Sequence, residues 1–147
     1  MIAMQDDIDC MTVSVTPLHA LEYEWNAHGI AQYMHIIAGQ EMGSKAEHVQ
    51  YAAKGKYDAD KIMLIGDAPG DRDAAYKAEC LYYPILPGNE KYSWKRFKDE
   101  ALPKFLEGSF VGEYQQALIE EFNSYLPGEV PWETISGNKT VPMPKVK

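Results

Sequence analysis

The chain has 147 residues, 46% of them hydrophobic, with a formal net charge of −8 and a pI near 4.9. That length suits one globular domain burying roughly 68–70% of its unfolded surface, and the acidic balance argues against nucleic acid, because a phosphate backbone needs clustered Lys and Arg to displace its counterions. No apolar run approaches the ~20 residues of a membrane span, and the acidic amino terminus, MIAMQDDIDC, lacks the basic-then-apolar order of a secretory signal, so the expected location is the cytoplasm.

Taken in chain order, CMTVSV (Cys10 to Val15) is a short β-rich run. Pro17 then opens PLHALEYEWNAHG, where Leu18, Leu21, Trp25 and His28 recur at helical spacing until Gly29. MHIIAG (Met34 to Gly39) is a second apolar run, and after the loop QEMG a helix begins at Ser44. KIMLIG is the third, apolar throughout as a strand covered on both faces would be. DRDAAYKAE supplies its helix and CLYYPI (Cys80 to Ile85) the fourth strand. Strands alternating with helices predict right-handed βαβ units, a Rossmann-like parallel sheet, and a site at the carboxyl ends of the strands.

After LPGNE the pattern becomes helical: SWKRFKDEALPKFLEG, which Pro103 should kink or break, then GEYQQALIEEFNSYLPG, with Tyr114, Leu118, Phe122 and Tyr125 on one face as a core stripe. The positive cluster Lys91 to Lys98 reads as a solvated helix face. One domain is expected over 1–126, with βα units over 10–85 and helices over 93–126, followed by an extended tail over 127–147. Cys10 and Cys80 have no ligand spacing and suit buried, reduced thiols. His19, His28, His35 and His48 show no metal-ligand spacing and are expected at the surface or as hydrogen-bonded core residues.

Three places at strand ends carry possible chemistry. Asp67 closes the third strand and Asp71 stands at the start of the next helix, so both carboxylates can face one crevice. Mg²⁺ favours such hard oxygen ligands, taking one or two carboxylates plus water and substrate phosphate, whereas the plainer reading is helix capping around Pro69. Ser44 and Glu47 form a capping-box pattern that puts Lys45 in a first helical turn, against the helix dipole. A cation there either neutralises a bound phosphate or bends into solvent. Ser14, with Thr16 two residues on, can donate a hydroxyl to a phosphate oxygen or satisfy its own turn.

In that order, the strand ending in Ser14, the helix-opening Lys45 and the GDxxxD of Asp67 and Asp71 resemble motifs II, III and IV of the haloacid-dehalogenase-like (HAD) hydrolase superfamily. The resemblance spans Cys10 to Ile85, and YYPILPGNEKYSWKRF with the helices that follow is similar to the carboxyl-terminal extension of one bacterial subgroup. It implies Mg²⁺-dependent hydrolysis of a small phosphorylated substrate, through attack by an aspartate and release of the aspartyl-phosphate by water. Carried over, Ser14 or Thr16 would hold a phosphate oxygen, Lys45 would act catalytically by neutralising nucleophile and phosphate, and Asp67 with Asp71 would position Mg²⁺.

The nucleophile is missing. The family's motif I is an apolar strand ending in DxDx(T/V), and the DxD that stands amino-terminal to motif II, Asp7 and Asp9 in QDDIDCM, follows no apolar strand. In the family that strand lies centrally, between those carrying motifs II and IV. A chain without it must pair those two directly, recruit another segment, or leave open edges that invite self-association. The expectation is therefore the carboxyl-terminal part of a HAD-like hydrolase, inactive alone. Other readings are a non-catalytic phosphate- or Mg²⁺-binding module, a subunit completed by another chain, or a flavodoxin-like or receiver-like scaffold. Dehalogenation is disfavoured, since paired aspartates suit a metal which carbon–halogen cleavage does not need.

Overall fold

A computed structural model describes residues 6–127, so the tail expected over 127–147 lies, Pro127 apart, outside the described residues. The chain is mixed α/β. Strand β1 (Met11–Val13) runs parallel to β2 (Ile36–Ala38), with Thr12 opposite Ile37 and helix α1 (Leu18–Ala27) in the connection. Helix α2 (Lys45–Ala53) leads to β3 (Met63–Gly66), which is parallel to β4 (Leu81–Pro84) through helix α3 (Pro69–Ala78). Both pairs are parallel because each connection holds a helix long enough to carry the chain back to its starting end.

The four strands do not form one sheet. Among the described residues they make two separate two-stranded sheets, β1–β2 and β3–β4. Neither pair joins the other or another described strand, so each of the four strands keeps one unpaired edge among the described residues.

The core lies around β4, whose four residues are all buried. Tyr82 faces Leu64, Ala75, Val49 and Phe122 on one side, its ring edge-on to Phe122 at 6.0 Å. Leu81 and Tyr83 face Phe110 and Leu118 on the other. Adjacent residues of a strand point to opposite faces, so LYYP suits a strand enclosed by helices on both sides. β1, equally apolar in sequence, is only half-buried along its length.

Helix α4 (Glu90–Arg96) passes through a π-turn (Phe97–Ala101) into α5 (Leu102–Glu107), which ends at Gly108 with φ 81°. Of the kink or break expected at Pro103, the helix shows no break but a distortion, the π-turn just before it. A proline lacks the amide donor and crowds the carbonyl four residues back, and the wider turn just before it absorbs both faults while the helix continues. In α6 (Glu113–Tyr125) Leu118 and Phe122 of the expected stripe are buried, joined by Ile119, whereas Tyr114 is half-buried and Tyr125 exposed.

The positive cluster is not uniformly solvated. Lys91, Lys95 and Lys98 are exposed, but Arg96 turns inward to pair with Glu121 of α6. Cys10 and Cys80 are both free thiols, and burial pushes Cys80 up to about 11 and Cys10 above its ordinary value. With so little thiolate, Cys80 should resist alkylation. Native protein treated with iodoacetamide at pH 8 is expected to stay unmodified at Cys80 for hours and to react within minutes in denaturant; rapid native labelling would contradict this.

Candidate functional site at the strand ends

Ser44 caps α2 as its pattern requires: its hydroxyl accepts from the Glu47 amide at 3.3 Å, while the Ser44 amide donates to Glu47 Oε2 at 2.8 Å. Lys45 therefore opens the helix. Its ammonium does not bend into solvent but donates to Asp71 Oδ1, pairing residues 26 positions apart. The Lys45 side chain is 25% exposed and that of Asp71 only 6%. A cation at a helix amino terminus is unfavourable by about 0.3–1 kcal/mol when exposed, and the carboxylate from α3 offsets it.

Asp71 is also the cap of its own helix. Its second oxygen accepts from the Ala68 amide at 3.2 Å, and Ala68, with no side-chain acceptor, cannot reciprocate. Gly66 is required by this arrangement, because a Cβ there would overlap the Asp71 carboxyl group. Asp67, between them in sequence, is exposed. Beneath the turn, the buried Tyr82 donates its hydroxyl to the Gly66 carbonyl at 3.0 Å and lies 3.5 Å from that of Ala68. Burial and then the Asp71 charge push this phenol well above its ordinary value, so it stays a neutral donor. Sequence reasoning places Tyr82 in a strand and gives it no part in the site.

Ser14 and Thr16 are placed differently. Ser14 Oγ accepts from the Thr16 amide at 3.1 Å, satisfying the turn. The Thr16 carbonyl accepts from the Gln40 amide at 3.0 Å. Glu41 caps α1, both its carboxylate oxygens accepting from the Leu18 amide at 3.0 and 3.2 Å. Gly39 lets the chains approach this closely, since a Cβ there would stand 2.6 Å from Leu18 N. The structure thus brings Lys45 and Asp71 into contact with Asp67 on the same turn, while Ser14 and Thr16 occupy the end of the other sheet and share no hydrogen bond with them.

Among the described residues no three His, Cys, Asp or Glu side chains converge as a metal cluster. The hard oxygen donors of two carboxylates nevertheless suit Mg²⁺, which takes one or two carboxylates when water or phosphate completes its shell. Asp67 is free to take part, and Asp71 retains lone pairs beyond those given to Lys45 and Ala68.

Two histidines carry more than their spacing indicates. His48, on α2, is 5% exposed with neither ring nitrogen partnered among the described residues, contrary to the expectation of a surface or hydrogen-bonded histidine. At the other end of β1, Asp9 meets His35 Nε2 at 3.1 Å and accepts from the Tyr57 hydroxyl. That contact gives Asp9 a tethering role with no need of a DxD motif. Compared with known proteins, the chain matches no family model, no curated protein and no solved structure, so its own residues carry the functional argument.

Proposed function

We propose that this chain is the carboxyl-terminal part of a HAD-like, Mg²⁺-dependent phosphate-ester hydrolase, with no turnover of its own because it supplies no nucleophilic aspartate. The observation that supports this reading is the meeting of Lys45 and Asp71, each at the start of the helix that follows a strand, above an exposed Asp67. In that role Lys45 neutralises charge on a phosphate, and the Gly66–Ala68 turn, held from below by Tyr82, keeps the two aspartates at the same edge. Mg²⁺, when bound, supplies further positive charge to the phosphate. Ser14 Oγ accepts from the Thr16 amide and its own O–H stays available to donate to a phosphate oxygen, as does the Thr16 hydroxyl, which takes no part in that bond.

The test is a titration of the purified chain with Mg²⁺ and inorganic phosphate, followed by amide chemical shifts, together with an assay on p-nitrophenyl phosphate. Saturable shifts around Asp67 and Gly70, abolished by Asp67→Asn with thermal stability unchanged and accompanied by no turnover, are expected. Absence of Mg²⁺-dependent shifts would sink the metal reading. Turnover lost in Asp67→Asn would sink the claim that the chain is inactive alone.

A further inference from the structure

The chain is acidic overall, yet one helix carries a basic face. From α4 into the π-turn, Lys91, Trp94, Lys95 and Lys98 recur at the three- and four-residue spacing that gathers side chains on one side of a helix, and all four are exposed. Lys95 meets Asp99 at 2.5 Å in an exposed pair of little energetic weight, while Lys91 and Lys98 form no ion pair among the described residues. Trp94 is 51% exposed, its ring held edge-on to Phe97 at 5.9 Å. Beyond it the same helix opens an apolar groove of about 460 Å³, lined by Lys98, Leu102, Pro103, Leu106 and Glu107. The groove is therefore basic at one end and acidic at the other.

Helix α1 carries a knob of complementary charge. Tyr23 is 77% exposed and stands between Glu22 and Glu24, themselves exposed. Among the described residues it is the one exposed large apolar side chain with a carboxylate immediately on either side. Helix α1 packs on β2 and α5 on the turn before β3, and no residue of α1 lines the groove, so the chain does not fill its own groove.

We propose that the groove takes Tyr23 of a second copy of this chain, with Glu22 and Glu24 set against Lys95 and Lys98 and the Tyr23 hydroxyl donating to Glu107. Copies with a net charge of −8 repel one another at long range, so the contact that joins them is one of unlike faces. A buried aromatic ring adds the apolar part, covering roughly 150–250 Å². The concave shape favours such a knob over a lipid surface, which is flat and leaves a groove empty. Knob and groove are different surfaces, so the contact is head-to-tail and every pair keeps one of each free, which carries association beyond two copies.

None of these residues belongs to the strand-end site, so the inference fails or holds separately from the phosphate reading. Sedimentation equilibrium of the full chain at concentrations up to about 1 mM tests it. For a Kd of ~1 mM or tighter, the weight-average mass should climb with concentration past twice the 16.6 kDa of one chain. Glu22→Lys with Glu24→Lys should hold it at one chain, even though that change halves the net charge of −8 and so favours unspecific association. Lys95→Glu with Lys98→Glu should do the same. All four positions are exposed, so both variants keep the fold. An equimolar mixture of the two variants should associate again, because each altered face then meets its opposite. A parent that stays monomeric, association that survives either charge reversal, or a mixture no heavier than its components would overturn the proposal. So would a mass that levels at two copies, the mark of a self-complementary surface instead.

Discussion

Lys45→Met is expected to destabilise the chain by about 3–5 kcal/mol, the usual cost of stranding one partner of a buried ion pair. The stranded group would be Asp71, whose side chain is 6% exposed and cannot reach water without breaking its bond to the Ala68 amide. Asp71→Asn is expected to cost much less, about 1–2 kcal/mol. The amide oxygen can still accept from Ala68, and Lys45, a quarter exposed, can swing its ammonium outward. The double variant Lys45→Met with Asp71→Asn should therefore recover much of the stability lost in Lys45→Met alone, since no buried charge remains. Urea unfolding of the three variants measures this. A Lys45→Met protein within about 1 kcal/mol of the parent would mean that Asp71 is solvated in solution and that the pair does not hold the site.

The legible parts of this site are local and the illegible parts are contacts. Ser44 and Glu47 announce a helix start within four residues, so the sequence alone puts Lys45 in a first turn. Its partner is hidden, because nothing in a helical pattern says that residue 45 will face residue 71. The reading of Asp71 as metal ligand or helix cap resolves partly into the second, since its carboxylate does accept from an amide of its own first turn. Tyr82 is hidden for a related reason: a tyrosine in CLYYPI fits a strand on propensity alone, and the hydroxyl's use depends on which carbonyls lie above it.

Strand existence is likewise readable where strand pairing is not. MTV, IIA, MLIG and LYYP are apolar runs of the expected kind, and all four are strands. Their division into two sheets depends on contacts between segments distant in sequence, which periodicity does not encode. β1, a β-rich run by composition, is half-buried along its length, whereas LYYP is buried at all four residues, a difference set by tertiary contacts. Pro103 shows a local rule whose form the sequence leaves open, since of the expected kink or break the chain takes a π-turn that absorbs the proline without ending the helix.

The second large effect lies away from the site and reverses the first in sign of charge. Arg96 is 9% exposed, and its guanidinium donates to Glu121, lies 3.4 Å from the Tyr83 hydroxyl and stacks 5.0 Å over the Tyr92 ring, leaving Nη2 without a partner among the described residues. Here the buried member is the cation, and the 34% exposed Glu121 is the one that can reach water. Glu121→Ala should therefore be the costly change, about 3–5 kcal/mol, because it leaves a buried guanidinium that cannot deprotonate. Arg96→Met keeps much of the aliphatic packing and frees only a carboxylate able to rehydrate, so it should cost less than half as much. Denaturant titration of the two single variants separates them. If Arg96→Met proves the more damaging, the residue serves chiefly by packing between Tyr83 and Tyr92, and the link from α4 to α6 is apolar in origin, not ionic.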